Sequence, residues 1–445
     1  MPILTKDEAQ ALMKKVLSYS KADECEVNLS GSDGGNIRYA RNAASTSGGV
    51  SQSSLVVQSS YGKKVGVATI NEFDDASLEK VVRRSEELAQ LAPENPEFVK
   101  NLGPQQYGPP SKTFEQSTAD ITPKFRADAV AQSLQIAKDN KLTAAGFMDN
   151  TAGYSAMMNT SGLFAYGTST NVDFNVTLRT EDSKGSGYAT KAYNDVNKLD
   201  VAAATRVAAQ KAAGSALAKS IEPGKYTVIL EPTAALTLLE TMFFAMDARS
   251  ADEGRSFLSK AGGGTKLGEK LVDERVTIYS DPQNTELPTS SWNGDGRPQE
   301  KITWIDKGVI QNLYYSRYWA QKMNKKAVPS PDAIIMNGTD ATLEDLIKGT
   351  DKGILVTKLW YIRSVDPQTV LQTGLTRDGT FYIENGKIQF AVKNFRFNES
   401  PVIMLNNLDA LGKPERAVST ESGINAMMPP MRIRDFTFSS LSDAV

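Results

Sequence analysis

Histidine is absent from all 445 residues of the chain, and cysteine occurs once, at Cys25. Histidine is the usual general base near neutral pH and the commonest metal ligand. Without it, neither a Ser-His-Asp nor a Cys-His arrangement can be assembled from this chain. A self-contained zinc site built on His and Cys is excluded on the same ground, and a single cysteine allows no internal disulfide. Carboxylate chemistry, Ser-Lys chemistry, oxygen-ligated metals, or no chemistry at all remain open. No excess of either charge exists: Lys+Arg 50 stand against Asp+Glu 52, for a net charge of -2. The two signs are mixed throughout, so neither nucleic acid nor a membrane surface is favoured as a partner. Long apolar runs are missing too. The longest, Ala234 to Met246, contains Glu240 and falls short of the ~20 residues that a membrane span needs. The opening MPILTKDEAQALMKK has no basic segment followed by an apolar signal core, so a cytoplasmic location is expected.

What is present reads as an α+β chain. Thr5 and Glu8 fit a capping box, followed by Ala9, Leu12, Met13, Val16 and Leu17 at helical spacing. Short β-type runs follow at Glu26 to Leu29, Ile37 to Arg41, and Leu55 to Gln58, the last paired with Lys64 to Ile70 through a turn at Tyr61-Gly62-Lys63. Ser77 to Ala92 is a second amphipathic helix. Five prolines between Pro93 and Pro110 then mark 93–112 as a connection. Thr122-Pro123 opens a helix running to about Lys138, with proline at the first helical position. Leu142 to Tyr193 reads as strands, and Leu199 to Lys219 as an alanine-rich helix ended by Glu222-Pro223-Gly224. That punctuation divides the chain into an N-terminal α+β domain, 1–221, and a β-rich C-terminal domain, 222–445, with mixed and antiparallel sheets. In the second part, Lys307-Gly308 and Asn385-Gly386 are the turns of two tight hairpins.

Four features could carry chemistry. Glu240 is the sole charge in an otherwise apolar helix over 233–247, and a buried carboxylate needs a partner or a raised pKa. It is a candidate acid or base, or else a carboxylate paired with Arg249 or Arg255. Gly263 to Glu269 resembles a phosphate loop but has Glu269 where lysine is required, which leaves a surface loop. Ser18-Tyr19-Ser20-Lys21 and Ser60-Tyr61-Gly62-Lys63 match S-x-x-K formally, one at a helix end and one in a turn. Tyr314, Tyr315, Tyr318 and Trp319, with Arg317, form the densest aromatic cluster and read as an interface.

Several longer stretches then occur in a telling order: Glu222 to Pro232, Glu253 to Leu258, Leu267 to Lys270, Val276 to Pro282, Asp295 to Pro298, Gly308 to Ile310, and Ile383 to Ile388. In this order they resemble the TldD/PmbA family, once called modulators of DNA gyrase. The resemblance spans essentially the whole chain. It implies a metallopeptidase scaffold acting on unfolded or leader peptides, with the metal held by an H-E-x-x-x-H helix and a cysteine near the C-terminus. Here Leu239 and Phe244 fall at the two histidines and Glu240 at the glutamate; the cysteine is missing from Glu415 to Ser419. Leu and Phe have no lone pair to offer a metal. The departure resembles the PmbA (TldE) branch, whose members lack the metal motif.

The resemblance therefore implies no metal and no cofactor in this chain. Its expected partner is a metal-bearing TldD-like homologue in a heterodimer, or a second copy in a homodimer. The expected ligand is an extended peptide held by main-chain pairing at a sheet edge. Two alternatives stand beside it: a hydrolase using carboxylates such as Glu240 or an oxygen-ligated metal, and a homodimeric peptide-binding scaffold without catalysis.

Overall fold

The computed structural model describes residues 3–442. It is an α+β fold built on three sheets. The first half contributes helices α1 (Lys6–Ser18), α2 (Asp75–Leu91), α3 (Gln116–Ala119), α4 (Pro123–Asp139) and α5 (Val201–Ser215). Its strands are β1 (Glu24–Ala40), β2 (Ala43–Tyr61), β3 (Lys64–Ile70), β4 (Leu142–Asn159), β5 (Phe164–Thr180) and β6 (Ser186–Tyr193). The capping box at Thr5 and Glu8 forms as expected, and Pro123 opens α4 beneath the Thr122 cap. The six strands lie in the order β3-β2-β1-β4-β5-β6, every pair antiparallel. Apolar residues alternate along β1 and β5, so one face is buried. Helices α1 and α2 cover one part of that face, where Met13, Val16, Leu78 and Val82 meet Val27, Leu29 and Leu55. Helices α4 and α5 cover the rest, where Val130 and Ala208 meet Phe174 and Val176.

Two expectations are corrected here. Glu26 to Leu29 and Ile37 to Ala40 are parts of one 17-residue strand, with Arg41 in the turn that follows, and β2 begins twelve residues before Leu55. The Ser- and Gly-rich stretch between them has little β propensity of its own. It is held extended by residue-for-residue pairing, as in Gly34 with Val50 and Gly35 with Gly49. Gly35 is needed for a separate reason: a Cβ there would fall 2.3 Å from the buried guanidinium of Arg126.

The second half runs β7 (Gly224–Leu230), α6 (Pro232–Phe244), α7 (Ala248–Asp252), β8 (Ile278–Ser280), β9 (Ile302–Asp306), β10 (Val309–Ile310), α8 (Arg317–Lys322), β11 (Ile334–Met336) and α9 (Leu343–Lys348). It continues with β12 (Lys352–Asp366), β13 (Leu371–Glu384), β14 (Lys387–Ala391), β15 (Phe395–Glu399), α10 (Pro401–Asn406), β16 (Leu408–Leu411), β17 (Glu415–Val418), β18 (Asn425–Met428) and β19 (Met431–Leu441). One sheet has the order β10-β9-β8-β11-β18-β17. In the other, β12-β7-β19-β15-β13 closes on itself because β13 also pairs with β12. The result is a small barrel with β14 and β16 attached to it. Phe395 and Phe438 stack in its core at 4.5 Å between ring centroids, with Phe436 beside them. Both expected hairpins are present, with positive φ at Lys307, Gly308, Asn385 and Gly386, the backbone that a two-residue type I′ turn requires. Among the described residues, no helix is long and apolar enough to cross a membrane.

A buried polar cluster joins the two halves. Ser186 of β6 donates to one oxygen of Asp378, and Lys358 donates to the other at 3.0 Å. The Lys358 ammonium also sits 3.8 Å from the centroid of the Tyr188 ring. Burial pulls the Lys358 pKa down, while Asp378 opposes that effect. Removing Asp378 would strand a buried cation. Asp378→Ala is expected to destabilise the protein by about 3–5 kcal/mol, read as a lower denaturation midpoint in urea.

Candidate functional site

The backbone that leaves the barrel builds the site. Strand β7 runs into the interior, Glu231 ends it, and Pro232 starts α6 with φ already set for helix. From Ala234 to Glu240, every residue of α6 is buried. Leu236, Leu238, Leu239, Met242 and Phe243 enter the largest core cluster. At about 2 kcal/mol for each such side chain, their burial outweighs the cost of the carboxylate that accompanies them.

That carboxylate is Glu240, 4% exposed. Its partner is neither Arg249 nor Arg255. Arg249 binds Glu97 and Glu253, and Arg255 binds Glu253. Instead, the Ser422 hydroxyl donates to Glu240 Oε2 at 2.6 Å. Ser422 lies in the turn Ser419–Gly423 that joins β17 to β18. The Ser419 hydroxyl organises this turn by accepting the N–H groups of Glu421 and Ser422. Thr237, one helical turn before Glu240, accepts the N–H of Thr420, whose hydroxyl donates to the carbonyl of Leu359. Glu421 accepts the N–H groups of Tyr361 and Ile362, where β12 bulges and Tyr361 has φ 55. Burial pushes the Glu240 pKa up; the Ser422 and Ser419 hydroxyls oppose this and the Glu421 charge adds to it.

The three positions taken as the site in sequence do not converge. Leu239 is fully buried in the core, whereas Phe244 is 65% exposed. These two side chains therefore meet different surroundings. Ser419, at the end of the stretch expected to have lost a cysteine, does come to Glu240. The assembled donors are thus one carboxylate and several hydroxyls. Among the described residues, no three acidic or cysteine side chains gather closely enough to hold a metal ion. Cys25 is buried in the first sheet, where burial raises its pKa. This donor set does not fit a catalytic zinc, which takes nitrogen, sulfur or carboxylate ligands in a tetrahedral site.

A cleft of about 700 Å³ opens at the other end of α6, between the first sheet and the barrel, lined by Tyr188, Lys211, Glu231, Phe381 and Arg416 among others. Lys211 binds Glu231 there at 2.7 Å. The cleft mouth lies ~12 Å along the helix from Glu240, at 1.5 Å per residue.

Sequence reasoning missed two further features. Asp149 and Asp173 sit directly opposite each other on β4 and β5. Burial, with Asp173 adding to it, pushes the Asp149 pKa up to about 6. The aromatic cluster is also placed differently: Tyr315 and Trp319 belong to the second core, not to an exposed interface, and Arg317 reaches the carbonyl of Lys100.

Residues 223–440 match the model of the PmbA/TldA metallopeptidase C-terminal domain. The second half of the chain belongs to the C-terminal domain of the TldD/PmbA family. A protein named a metalloprotease from Methanothermobacter thermautotrophicus is 23% identical over 285 residues. That match covers 59% of this chain and 60% of the relative, so it spans under two thirds of the relative's length. The family fold is seen over the whole chain in TldE from Thermococcus kodakarensis, with a TM-score of 0.86 at 17% identity, covering 97% of this chain and 99% of that one. A candidate modulator of DNA gyrase from Bacteroides thetaiotaomicron gives 0.85 at 20% identity, covering 98% and 100%. At these identities the two structures establish the fold.

Two outcomes follow from the geometry. A Leu239→His/Phe244→His variant is expected to bind no stoichiometric zinc by metal analysis after dialysis, because residue 239 is enclosed in the core and Cys25, the one cysteine of the chain, lies in the first sheet. Asp149→Asn should raise the melting temperature at pH 7.5, and its advantage should fade as the pH drops from about 6 towards 4. The sign follows from the raised folded pKa of Asp149. The folded state holds the proton more tightly, so wild-type stability declines as pH rises through that window.

Proposed function

We propose that this chain is the non-metal subunit of a peptidase, a PmbA/TldE-like partner that helps a metal-bearing TldD-like chain process unfolded or leader peptides in the cytoplasm. The observation that carries this reading is the state of α6. Leu239 is core, and the Glu240 carboxylate is hydrogen-bonded to the turn at Ser422. Glu240 then anchors a loop instead of moving protons. The chain contributes a surface to the assembly and, through the cleft beside Glu231, part of a chamber for an extended peptide. The reading includes a division of the chain between Ile221 and Glu222, where the first sheet and its helices give way to the barrel.

A second reading, a hydrolase acting through Glu240, is favoured by the raised pKa of that buried carboxylate. One experiment separates the two. Mixed with a metal-bearing homologue from the same cell, the chain is expected to yield peptidase activity that neither protein shows alone. Glu240→Gln, which can still accept a hydrogen bond from Ser422, should leave that activity within about twofold. Mixtures with no gain would refute the subunit reading. Activity of the isolated chain that Glu240→Gln abolishes would establish the hydrolase.

A further inference from the structure

The cleft beside Glu231 has α5 on one wall and the barrel on the other. Val207 and Lys211 are four residues apart on α5, so both project from one face of that helix into the cleft. Gly214 closes one end: a Cβ there would stand 3.4 Å from the Phe381 ring, so helix and barrel touch. On the barrel side, Leu355 of β12 and Phe381 of β13 are direct ladder partners and give an apolar floor, 3% and 6% exposed. Val207 and Ile388 of β14 line the same cleft, yet they are 44% and 46% exposed. A single exposed apolar side chain is ordinary. Two of them in one concave site of about 700 Å³, with an apolar floor, form a surface suited to being covered.

A polar pair lines the cleft together with this floor. Lys211 donates to one oxygen of Glu231 at 2.7 Å, and the Thr357 hydroxyl donates to the other at 3.3 Å. An ammonium has three donors and a carboxylate about four acceptor sites, so each keeps capacity that the other does not use. A donor and an acceptor side by side match the C=O and N–H that one residue of an extended chain turns to the same side. The whole lining carries four cationic and four anionic side chains, so the cleft offers no net charge to a nucleic acid or a polyamine. A bare hydrocarbon chain fits no better, because it would strip water from the ion pair and give no hydrogen bond in return.

We propose that this cleft binds a peptide at a leucine- or phenylalanine-sized residue, whose side chain rests on Leu355 and Phe381 between Val207 and Ile388 while its main chain bonds to Lys211 and Glu231. The apolar groups then select the residue, and the ion pair holds the backbone that carries it. The inference rests on the reading of this cleft as part of a peptide chamber and adds to it a preference for apolar residues at one position of the peptide. No residue of the site around Glu240 takes part.

The test uses the intact isolated chain and fluorescent peptides of glycine and serine, blocked at both ends, with the central residue varied. Leucine or phenylalanine at the centre is expected to bind at least about tenfold more tightly than serine or lysine, by anisotropy. Val207→Ser/Ile388→Ser, at two exposed positions, should erase that preference, with an unchanged urea midpoint showing that the variant folds. Replacing the N–H of the central leucine by an ester oxygen should weaken binding by about tenfold, because Glu231 loses a donor. Absent or unselective binding, a preference that survives the two serines, or an ester that binds as well as the amide would each overturn the proposal. So would a changed mass of the isolated chain, or lost pairing with the metal-bearing homologue, in the serine variant, since the cleft wall would then be a protein–protein contact. Selective binding beside inactive mixtures would uphold this site and remove the subunit reading; active mixtures without selective binding would do the reverse.

Discussion

A helix that is apolar on nearly every side can exist in water only if it is walled in, and α6 imposes that condition on the second half of this protein. Leu236, Leu238, Leu239, Met242 and Phe243 share a core with strands of both C-terminal sheets. The barrel, the six-stranded sheet and α10 are the walls. This enclosure also determines the character of Glu240. A carboxylate in such surroundings must be hydrogen-bonded, and the turn at Ser419–Gly423 supplies the hydroxyl. The same turn carries Glu421 to the bulge of β12, so the enclosed helix, the turn and the strand hold one another in place.

The enclosure of α6 bears on the absence of histidine from the chain. A metal-binding helix must keep its ligands aimed at a shared point, open on one side to substrate. In α6, Leu239 packs in the core, Phe244 lies at the surface, and Glu240 accepts the hydroxyl of Ser422.

Much of this was legible in the sequence. Helices with strong local signals, such as the Thr5 capping box and the Thr122-Pro123 start, appear where their chemistry puts them. Both Gly-containing hairpins do too, because positive φ at Asn385 and Gly386 is a local requirement. What failed were features that depend on distant chain. The early part of β2 has no β signal of its own and is extended only because β1 lies beside it. The arginines offered as partners of Glu240, Arg249 and Arg255, are near it in sequence, whereas Ser422, which donates to it, lies 182 residues away. The cluster around Trp319 looked like a surface because aromatics and arginine mark interfaces, but Trp319 gives its indole N–H to Asp252 and packs inward. Asp149 and Asp173 are 24 residues apart, and only the register of β4 and β5 makes them neighbours.

The position of β19 has a consequence for how the molecule is made. This strand, Met431–Leu441, lies between β7 and β15 in the barrel, so strands from both ends of the second half must meet to close it. On a ribosome, β7 and the apolar α6 emerge some 200 residues before the strand that seals them. Throughout that interval the most water-averse helix of the chain has no complete enclosure, while the first sheet, whose strands all precede residue 194, can already be assembled. Synthesis thus has a vulnerable phase, and a nascent chain arrested before Met431 would expose α6 to chaperones and proteases.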